Sequence, residues 1–393
     1  MWTKANPLGG MSVETFLRDY WQKKPLLIRQ AFTDFTPPLS IDELAGLACE
    51  DRVESRLVME QGPDQPWQLF SGPFEAEFLQ ALPEKDWTLL VQAVDHWVPE
   101  VAELLELFRF LPQWRLDDVM VSYAPTGGSV GPHFDYYDVF LLQASGQRRW
   151  QLAGWGDEST PVRSDTRLKL MTEFEVNPEW DWVLEPGDLL YLPPQLAHWG
   201  VSCSQDCTTW SVGFRGLSAE EILCGAADFL GEHLTEDQRY SDPDLTPLRH
   251  SAEIDSQALA RVQSLLTRAL DQPDILAQWF GRAMTQTKYP DQLLPPEQRW
   301  EAADLHAWVE TTDPLYRTEG SRFAFHPNAQ GGWLFVDGEA WPYPATLQSW
   351  VEALCEKNQL DADFTQQTLA QPEACTLLLS LLNQGSLYAP EDE

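Results

Sequence analysis

The stretch from residue 116 to residue 215 constrains the fold most, because it consists of short apolar segments separated by Gly and Pro turns. The turns follow one another too closely for long helices to form between them. Regularly spaced short strands are typical of a double-sheet jelly roll or a small barrel. The strand candidates are "DDVMVSYA", "YYDVFLLQA", "RRWQLAGW", "VLEPGDLLYLPP" and "TTWSVGFR".

The sequences on both sides of this region have different patterns. The stretch "SVETFLRDYWQKKPLLIRQAF" predicts an N-capped helix that ends at Lys24-Pro25 and passes into a strand. After residue 216 the chain turns helical, starting at a capping box of Ser218 and Glu221. The last hundred residues combine helices with "WLFVDGEAW", a hairpin candidate that turns at Asp337-Gly338. Helices with such a hairpin are typical of a winged-helix-like domain.

We therefore expect an α+β protein with three regions. Residues 1–216 form the catalytic domain, whose jelly-roll core covers about residues 116–215. Residues 217–290 form a helical region, and residues 291–393 form a winged-helix-like domain. Helices appended to a barrel often serve dimerisation, although packing within one chain is equally common.

Two histidines and one aspartate in the strand-rich region form a candidate metal site. The segment "GPHFDYYDVF" predicts a strand with His133 and Asp135 on one face, because neighbouring side chains of a strand alternate. His198 follows a Pro-Gly-Asp turn in "LEPGDLLYLPPQLAHWG". Two imidazoles and a carboxylate cover one face of an octahedral metal and leave three positions open, which suits non-haem Fe(II) and O₂. The sequence thus predicts a site of His133, Asp135 and His198.

The charge of the chain indicates what kind of partner it attracts. The formal net charge is −35 at pH 7, which repels nucleic acid and anionic membrane and attracts basic partners. Residues 291–393 carry four Lys and Arg against seventeen Asp and Glu, which disfavours DNA binding by the winged-helix-like region. Solubility alone is the other explanation of the acidic composition.

The remaining composition favours a cytoplasmic protein. The six cysteines are scattered and fit reduced thiols. The first residues do not read as a signal peptide, and no stretch is long and apolar enough to span a membrane. We therefore expect neither a membrane nor DNA among its partners.

The stretches "GPHFDYYDVFLLQASGQRRWQL" and "LEPGDLLYLPPQLAHWG" resemble the JmjC, cupin-fold, 2-oxoglutarate-dependent oxygenases. More narrowly, the chain is similar to the bacterial ribosomal oxygenases that hydroxylate an arginine of ribosomal protein sixteen of the large subunit. Further matches are "FLRDYWQKKPLLIRQAF", "WTLLVQAVDHW", "YSDPD" and "QWFG".

This resemblance implies a double-stranded β-helix, a helical dimerisation segment and a C-terminal winged helix. The implied reaction uses Fe(II), O₂ and 2-oxoglutarate, releases succinate and CO₂, and hydroxylates the arginine β-carbon. It also implies a homodimer.

Two residues are candidates for binding the distal carboxylate of 2-oxoglutarate. The family pattern places the carboxylate-binding arginine at Arg148, and the planar guanidinium suits a carboxylate. Strand alternation puts only one of Arg148 and Arg149 inside the barrel. In "DDVMVSYAP", Val119 and Val121 are expected to pack between layers, which turns Ser122 toward the cavity; Ser122 matches the family's second contact.

The same alternation suggests a substrate pocket. Asp118 and Met120 share the cavity face with Ser122, and Tyr137 lies on the metal-binding face of its own segment. An acid and an aromatic ring suit a guanidinium, through a charge-assisted hydrogen bond and stacking. Our hypothesis is that Asp118 and Tyr137 hold the target arginine while Met120 lines the slot. The competing interpretation is that Asp118 only caps a strand.

Three other functions remain open from the sequence. The same chemistry could act on a histidine of another ribosomal protein or remove methyl groups. A metal-binding cupin without oxygenase activity would not need Ser122 and Arg148 as a carboxylate clamp. A nucleic-acid regulator is disfavoured by the acidic C-terminal region.

Overall fold

The computed structural model describes residues 5–60, 62, 67–248 and 250–390. The chain forms two compact units, residues 1–216 and residues 217–393. Within the described residues, each helix is too short or too polar to cross a membrane.

The first unit contains eleven strands and four α-helices among its described residues. Single-turn 3₁₀ helices lie at Val94–His96 and Gln113–Arg115, and a longer one at Glu103–Phe108. The helices are α1 (Val13–Asp19), α2 (Ile41–Leu47), α3 (Ala76–Gln80) and α4 (Pro99–Ala102). The strands are β1 (Leu26–Ile28), β2 (Ser55–Met59), β3 (Gln68–Ser71), β4 (Trp87–Val91), β5 (Leu116–Ala124), β6 (Asp138–Ser145), β7 (Arg148–Trp155), β8 (Asp181–Leu184), β9 (Leu189–Leu192), β10 (Leu196–Ser202) and β11 (Cys207–Phe214).

These strands form two antiparallel sheets. The large sheet has the order β1-β9-β6-β11-β5-β4-β2-β3, and the small sheet has the order β10-β7-β8. Alternate residues of β6 belong to different cores: Phe140 and Leu142 pack with the helices, while Leu141 packs with Trp150 and Leu152 of the small sheet. The two sheets therefore enclose the barrel interior, as the predicted jelly roll requires.

The segment around His133 differs from the prediction. Within residues 125–137, all of which the structure describes, no regular strand forms, and only isolated bridges join Ser129 to Val201 and His133 to His198. The predicted strand "GPHFDYYDVF" was thus wrong at its start, because Gly131 has a φ of +82° and Pro132 has no N–H to donate. Regular pairing begins only at Asp138.

Helix α1 also ends earlier than predicted. Ser12 caps it as expected, but the helix stops at Asp19 instead of near Lys24. Gln22 takes a φ of +57°, and its backbone N–H donates to the Tyr191 hydroxyl at 2.8 Å. A tertiary contact with the barrel therefore turns the chain before Pro25 does.

The second unit is built from seven α-helices and six strands among its described residues. Single-turn 3₁₀ helices lie at Pro290–Gln292 and Ala345–Leu347. The helices are α5 (Ala219–Gly231), α6 (Ser256–Leu270), α7 (Pro273–Thr285), α8 (Ala302–Thr311), α9 (Gln348–Glu356), α10 (Ala362–Leu369) and α11 (Pro372–Gln384). The strands are β12 (Leu315–Arg317), β13 (Phe323–Asn328), β14 (Gly331–Val336), β15 (Glu339–Pro344), β16 (Gln359–Leu360) and β17 (Leu387–Tyr388).

A three-stranded wing of order β13-β14-β15 turns at Asp337-Gly338, as the sequence predicts. Helix α7 packs on this wing: a Cβ at Gly281 would lie 2.3 Å from the Phe335 ring, and Arg282 donates to the Gly338 carbonyl. The domain boundary predicted between residues 290 and 291 would place α7 in a different domain from the wing on which it packs. We therefore describe α7 together with the wing.

Asp138 provides a test of the first unit's stability. Its buried carboxylate accepts hydrogen bonds from Tyr191 at 2.6 Å, Gln22 at 2.9 Å and Arg115 at 3.1 Å. Replacing Arg115 with Met leaves this charge without its cation, so we expect the free energy of unfolding to fall by about 3 kcal/mol. Urea unfolding measures this. Arg18→Met removes an exposed pair with Asp19 and should change the free energy by less than about 1 kcal/mol; equal effects would contradict the assignment.

Candidate metal and co-substrate site

The three predicted ligand residues meet inside the first unit. His133 and His198 face each other across a backbone bridge, in which each N–H donates to the other's carbonyl, at 3.1 and 2.8 Å. Both Nε2 atoms lie 3.7 Å from Oδ2 of Asp135. The three donor atoms lie within 4.8 Å of one another. An ion at the centre would therefore be in reach of all three.

Hydrogen bonds to the backbone orient both imidazoles. Nδ1 of His133 lies 2.9 Å from the Gly131 carbonyl, and Nδ1 of His198 lies 2.9 Å from the Leu196 carbonyl. A carbonyl only accepts, so each Nδ1 carries the proton and each Nε2 keeps its lone pair for a metal. Burial lowers the pKa of His198 to about 4, with His133 adding to this effect and Asp135 opposing it. His198 is thus neutral at pH 7, as a metal ligand must be.

The donor set fits iron. Two neutral imidazoles and one carboxylate match the ligands of non-haem Fe(II) oxygenases, which leave three positions for substrates. His198 is buried, whereas the His133 and Asp135 side chains are 23% and 27% exposed. The triad is therefore open to a co-substrate on the side of His133 and Asp135.

Arg148 occupies the interior of the barrel, as the prediction required. Arg148 is only 3% exposed, and its Nη2 is buried without a hydrogen-bond partner. Arg149 points the other way and pairs with Asp181, with Nε to Oδ1 at 2.7 Å. A buried cation with a free donor is costly unless an anion joins it, so this interior fits the distal carboxylate of 2-oxoglutarate.

Ser122 lies nearby on the large sheet. It is buried, and its hydroxyl donates to the Thr209 carbonyl at 3.3 Å. The hydroxyl oxygen keeps its acceptor lone pairs, and the proton can rotate to an anion. The 2-oxoglutarate contact assigned to Ser122 stays a prediction.

Trp150 separates the arginine from the metal ligands. Along β7, Leu152 lies opposite His198, Trp150 opposite Gly200, and Arg148 opposite Ser202. The Trp150 ring lies 5.8 Å from the His198 ring. A Cβ at Gly200 would approach that ring to 2.7 Å. Trp150 therefore lies between Arg148 and His198 on the interior side of the small sheet.

Two of the predicted substrate residues, Asp118 and Met120, lie on the face of β5 opposite Val119 and Val121. Met120 packs with Val58 and Leu90, away from the core that holds Val119 and Val121, so the predicted alternation of β5 is present. Asp118 is 3% exposed.

Further charged and polar groups lie near Asp118. Burial raises the pKa of Tyr137, and the neighbouring carboxylates of Asp135 and Asp118 add to the shift while Arg56 opposes it. Tyr137 as a residue is nevertheless 45% exposed. Burial also raises the pKa of Asp95 to about 6; His96 opposes the shift, and Asp118 adds to it.

Sequence reasoning missed three residues of this interior. Gln92 donates to both carboxylate oxygens of Asp118, at 3.1 and 2.8 Å. Gln143 and Arg148 both donate to the sulfur of Cys207. A glutamine inside the apolar strand "DVFLLQA" was a usable signal for Gln143. Gln92 and Cys207 had none, because their neighbours come from distant segments.

The metal site can be tested without turnover. His198→Ala removes one of three donors, so we expect Mn(II) or Co(II) affinity to fall by about 100-fold or more. Isothermal titration calorimetry of the purified protein measures this. His326→Ala alters a histidine on β13 and should leave the affinity unchanged; unchanged metal binding in His198→Ala would rule out His198 as a ligand.

Comparisons with known proteins agree with this geometry. A JmjC domain is matched over residues 103–222, and a ROXA-like winged helix over residues 267–388. The chain is 35% identical over 370 residues to the Escherichia coli protein named "Ribosomal protein uL16 3-hydroxylase", covering 94% of this chain and 95% of that protein. It is 42% identical over 241 residues to a "Probable ribosomal oxygenase" of Haemophilus influenzae, covering 61% and 57% of the two chains.

Solved structures of a ribosomal oxygenase are also similar to this chain. An X-ray structure of E. coli YcfD superposes with a TM-score of 0.87 at 34% identity and covers 96% of this chain and 98% of that chain. A structure of YcfD, described as a ribosomal oxygenase in complex with cobalt and 2-oxoglutarate, has a TM-score of 0.84 with the same identity and coverage. The cupin without oxygenase activity is thereby set aside. The chain belongs to the JmjC-domain ribosomal oxygenases, which are Fe(II)- and 2-oxoglutarate-dependent dioxygenases.

Proposed function

We propose that this enzyme hydroxylates the β-carbon of an arginine side chain in a basic ribosomal protein of the large subunit. The observation that carries the proposal is the carboxylate of Asp118, which is almost fully buried on the interior side of β5. The name of the E. coli relative supports the target and the position, since it specifies ribosomal protein uL16 and carbon 3. Carbon 3 of an amino acid is its β-carbon. Ribosomal proteins are made in the cytoplasm, where we place the enzyme.

In this proposal the iron is held by Nε2 of His133, a carboxylate oxygen of Asp135 and Nε2 of His198. Arg148 and Ser122 bind the distal carboxylate of 2-oxoglutarate. When bound, iron, O₂ and 2-oxoglutarate supply the oxidant that hydroxylates a C–H bond while the keto acid becomes succinate and CO₂. The residues of the chain orient both substrates, and burial of His198 keeps water from that side of the site.

Asp118 and Tyr137 then hold the target arginine, and Met120 lines the slot. The Asp118 carboxylate accepts from the guanidinium, while the ring of Tyr137 provides a stacking face. Arg56 donates to Gln92 at 3.2 Å and lies close enough to Tyr137 to affect its pKa. Its positive charge opposes a second cation, so the negative charge of Asp118 is needed to make the pocket favourable for arginine.

Mass spectrometry tests the target directly. We expect uL16 from cells that contain the enzyme to carry one extra oxygen atom on an arginine, and uL16 from cells without it to lack that oxygen. Fragmentation and amino-acid analysis locate the hydroxyl. An oxygen on a histidine, or on another protein only, would overturn the proposed substrate.

Asp118→Asn tests the pocket. The neutral amide keeps the shape of Asp118 and loses the charge, so we expect kcat/KM for an arginine peptide to fall by about 10- to 100-fold, the loss of one charge-assisted hydrogen bond. Peptide hydroxylation and 2-oxoglutarate binding are measured side by side. Binding of 2-oxoglutarate should be unchanged; its loss would show that Asp118 supports the cofactor site instead.

We also propose that the enzyme is a homodimer through residues 217–290. Helix α6 has no buried residue. A row of its apolar side chains is exposed instead: Leu259 60%, Val262 44%, Leu266 60% and Leu270 46%. Their spacing of three, four and four residues places them along one face. A helix of this length is stabilised mainly by packing such a face, and the same helix of a second copy offers a matching one.

Leu266→Glu places a charge in the middle of this row. We expect the variant to be monomeric in analytical ultracentrifugation at a concentration where the wild type is dimeric, because an unpaired charge cannot be buried at the interface. Leu294→Glu alters a residue that is 65% exposed outside α6 and should leave the mass unchanged. A monomeric wild type would contradict the dimer.

A further inference from the structure

A buried polar cluster includes Arg148, the arginine that we assign to 2-oxoglutarate. Its members are at most 4% exposed: Ser122, Gln143, Arg148, Cys207 and Thr209. Such a cluster inside an apolar barrel is unfavourable unless its groups are paired. The hydrogen bonds within the cluster therefore show which polar group remains to bind a ligand.

The Cys207 thiol is at the centre of this cluster. Its Sγ accepts from Nε of Arg148 at 3.4 Å and from Nε2 of Gln143 at 3.3 Å. Gln143 is itself held in place, since its Nε2 donates to the Ser145 carbonyl at 2.8 Å and its Oε1 accepts from the Thr209 hydroxyl at 3.2 Å. The sulfur thus connects the guanidinium to a fixed amide of the large sheet.

This contact decides which edge of the guanidinium can bind an anion. A guanidinium pairs with a carboxylate either through Nε and one Nη or through both Nη atoms. In this structure Nε is directed at Cys207, while Nη2 is buried without a partner. The edge that contains Nε is therefore occupied, and the terminal Nη edge is the one left for a ligand.

We propose that Cys207 is a positioning residue for co-substrate binding: its thiol, fixed by Gln143, turns Arg148 so that the terminal edge receives the distal carboxylate of 2-oxoglutarate. This inference rests on the proposed role of Arg148. Because Cys207 acts through Arg148, its effect depends on the distal carboxylate and is absent for a keto acid that lacks one.

The test compares two keto acids on the Mn(II)-loaded full-length protein. Cys207→Val keeps a side chain of similar size in the strand and removes the acceptor. We expect the Kd for 2-oxoglutarate to rise about tenfold in calorimetry, the loss expected for one hydrogen bond to a charged group. The Kd for 2-oxobutyrate, which lacks the distal carboxylate, should be the same for the variant and the wild type.

Three further variants separate positioning from folding. Cys207→Ser retains an acceptor and should restore 2-oxoglutarate binding to within about threefold of the wild type. Cys203→Ala alters an exposed cysteine in the neighbouring turn and should have no effect. If Cys207→Val fails to fold, Gln143→Met decides, because it keeps the thiol but removes its anchor and should weaken 2-oxoglutarate binding alone.

Equal weakening for both keto acids, or unchanged 2-oxoglutarate binding in Cys207→Val and Gln143→Met, would overturn the positioning role. A failure of the proposed role of Arg148 gives a different result. In that case the wild type itself would bind 2-oxoglutarate no more tightly than 2-oxobutyrate.

Discussion

Two backbone hydrogen bonds between His133 and His198 are the constraint on which the site depends. They join an irregular segment to strand β10, although the two residues are far apart in the sequence. With the backbones fixed in this way, local bonds from each Nδ1 to a carbonyl two residues earlier direct both Nε2 atoms toward Asp135. Closure of the barrel therefore brings the members of the donor set together.

The electrostatics of the interior differ from those of the whole chain. The net charge of −35 favours the approach of a basic protein and opposes that of a dianionic keto acid. Arg148, on the interior side of β7, supplies a buried cation, to which we assign the distal carboxylate of the dianion as a proposal. Salt screens the long-range field far more than the buried contact. The enzyme can thus attract a cationic protein and hold an anionic co-substrate in the same barrel.

Strand alternation accounts for the part of the candidate site that could be predicted from the sequence. It correctly separated Arg148 from Arg149, and Met120 from the valines on either side of it. It failed at His133, where Gly131 and Pro132 prevent regular pairing. The two-residue spacing still brought His133 and Asp135 together, because an extended segment keeps this alternation without strand partners.

Contacts between distant segments could not be predicted in this way. Gln92 reaches Asp118 from the end of β4, and Cys207 reaches Arg148 from β11. Neither residue stands in a motif, and both depend on the register of strands that only the folded barrel defines. The end of α1 at Asp19 has the same cause, since Tyr191 provides the contact that turns the chain at Gln22.

The packing of Trp150 on Gly200 limits how this barrel can change during evolution. The missing side chain at Gly200 leaves the space that the indole fills, and the same indole lies beside His198. Even an alanine at position 200 would force the ring to shift within a closely packed interior. A residue that would touch neither iron nor substrate is thus expected to vary as little among descendants of this enzyme as the ligands themselves.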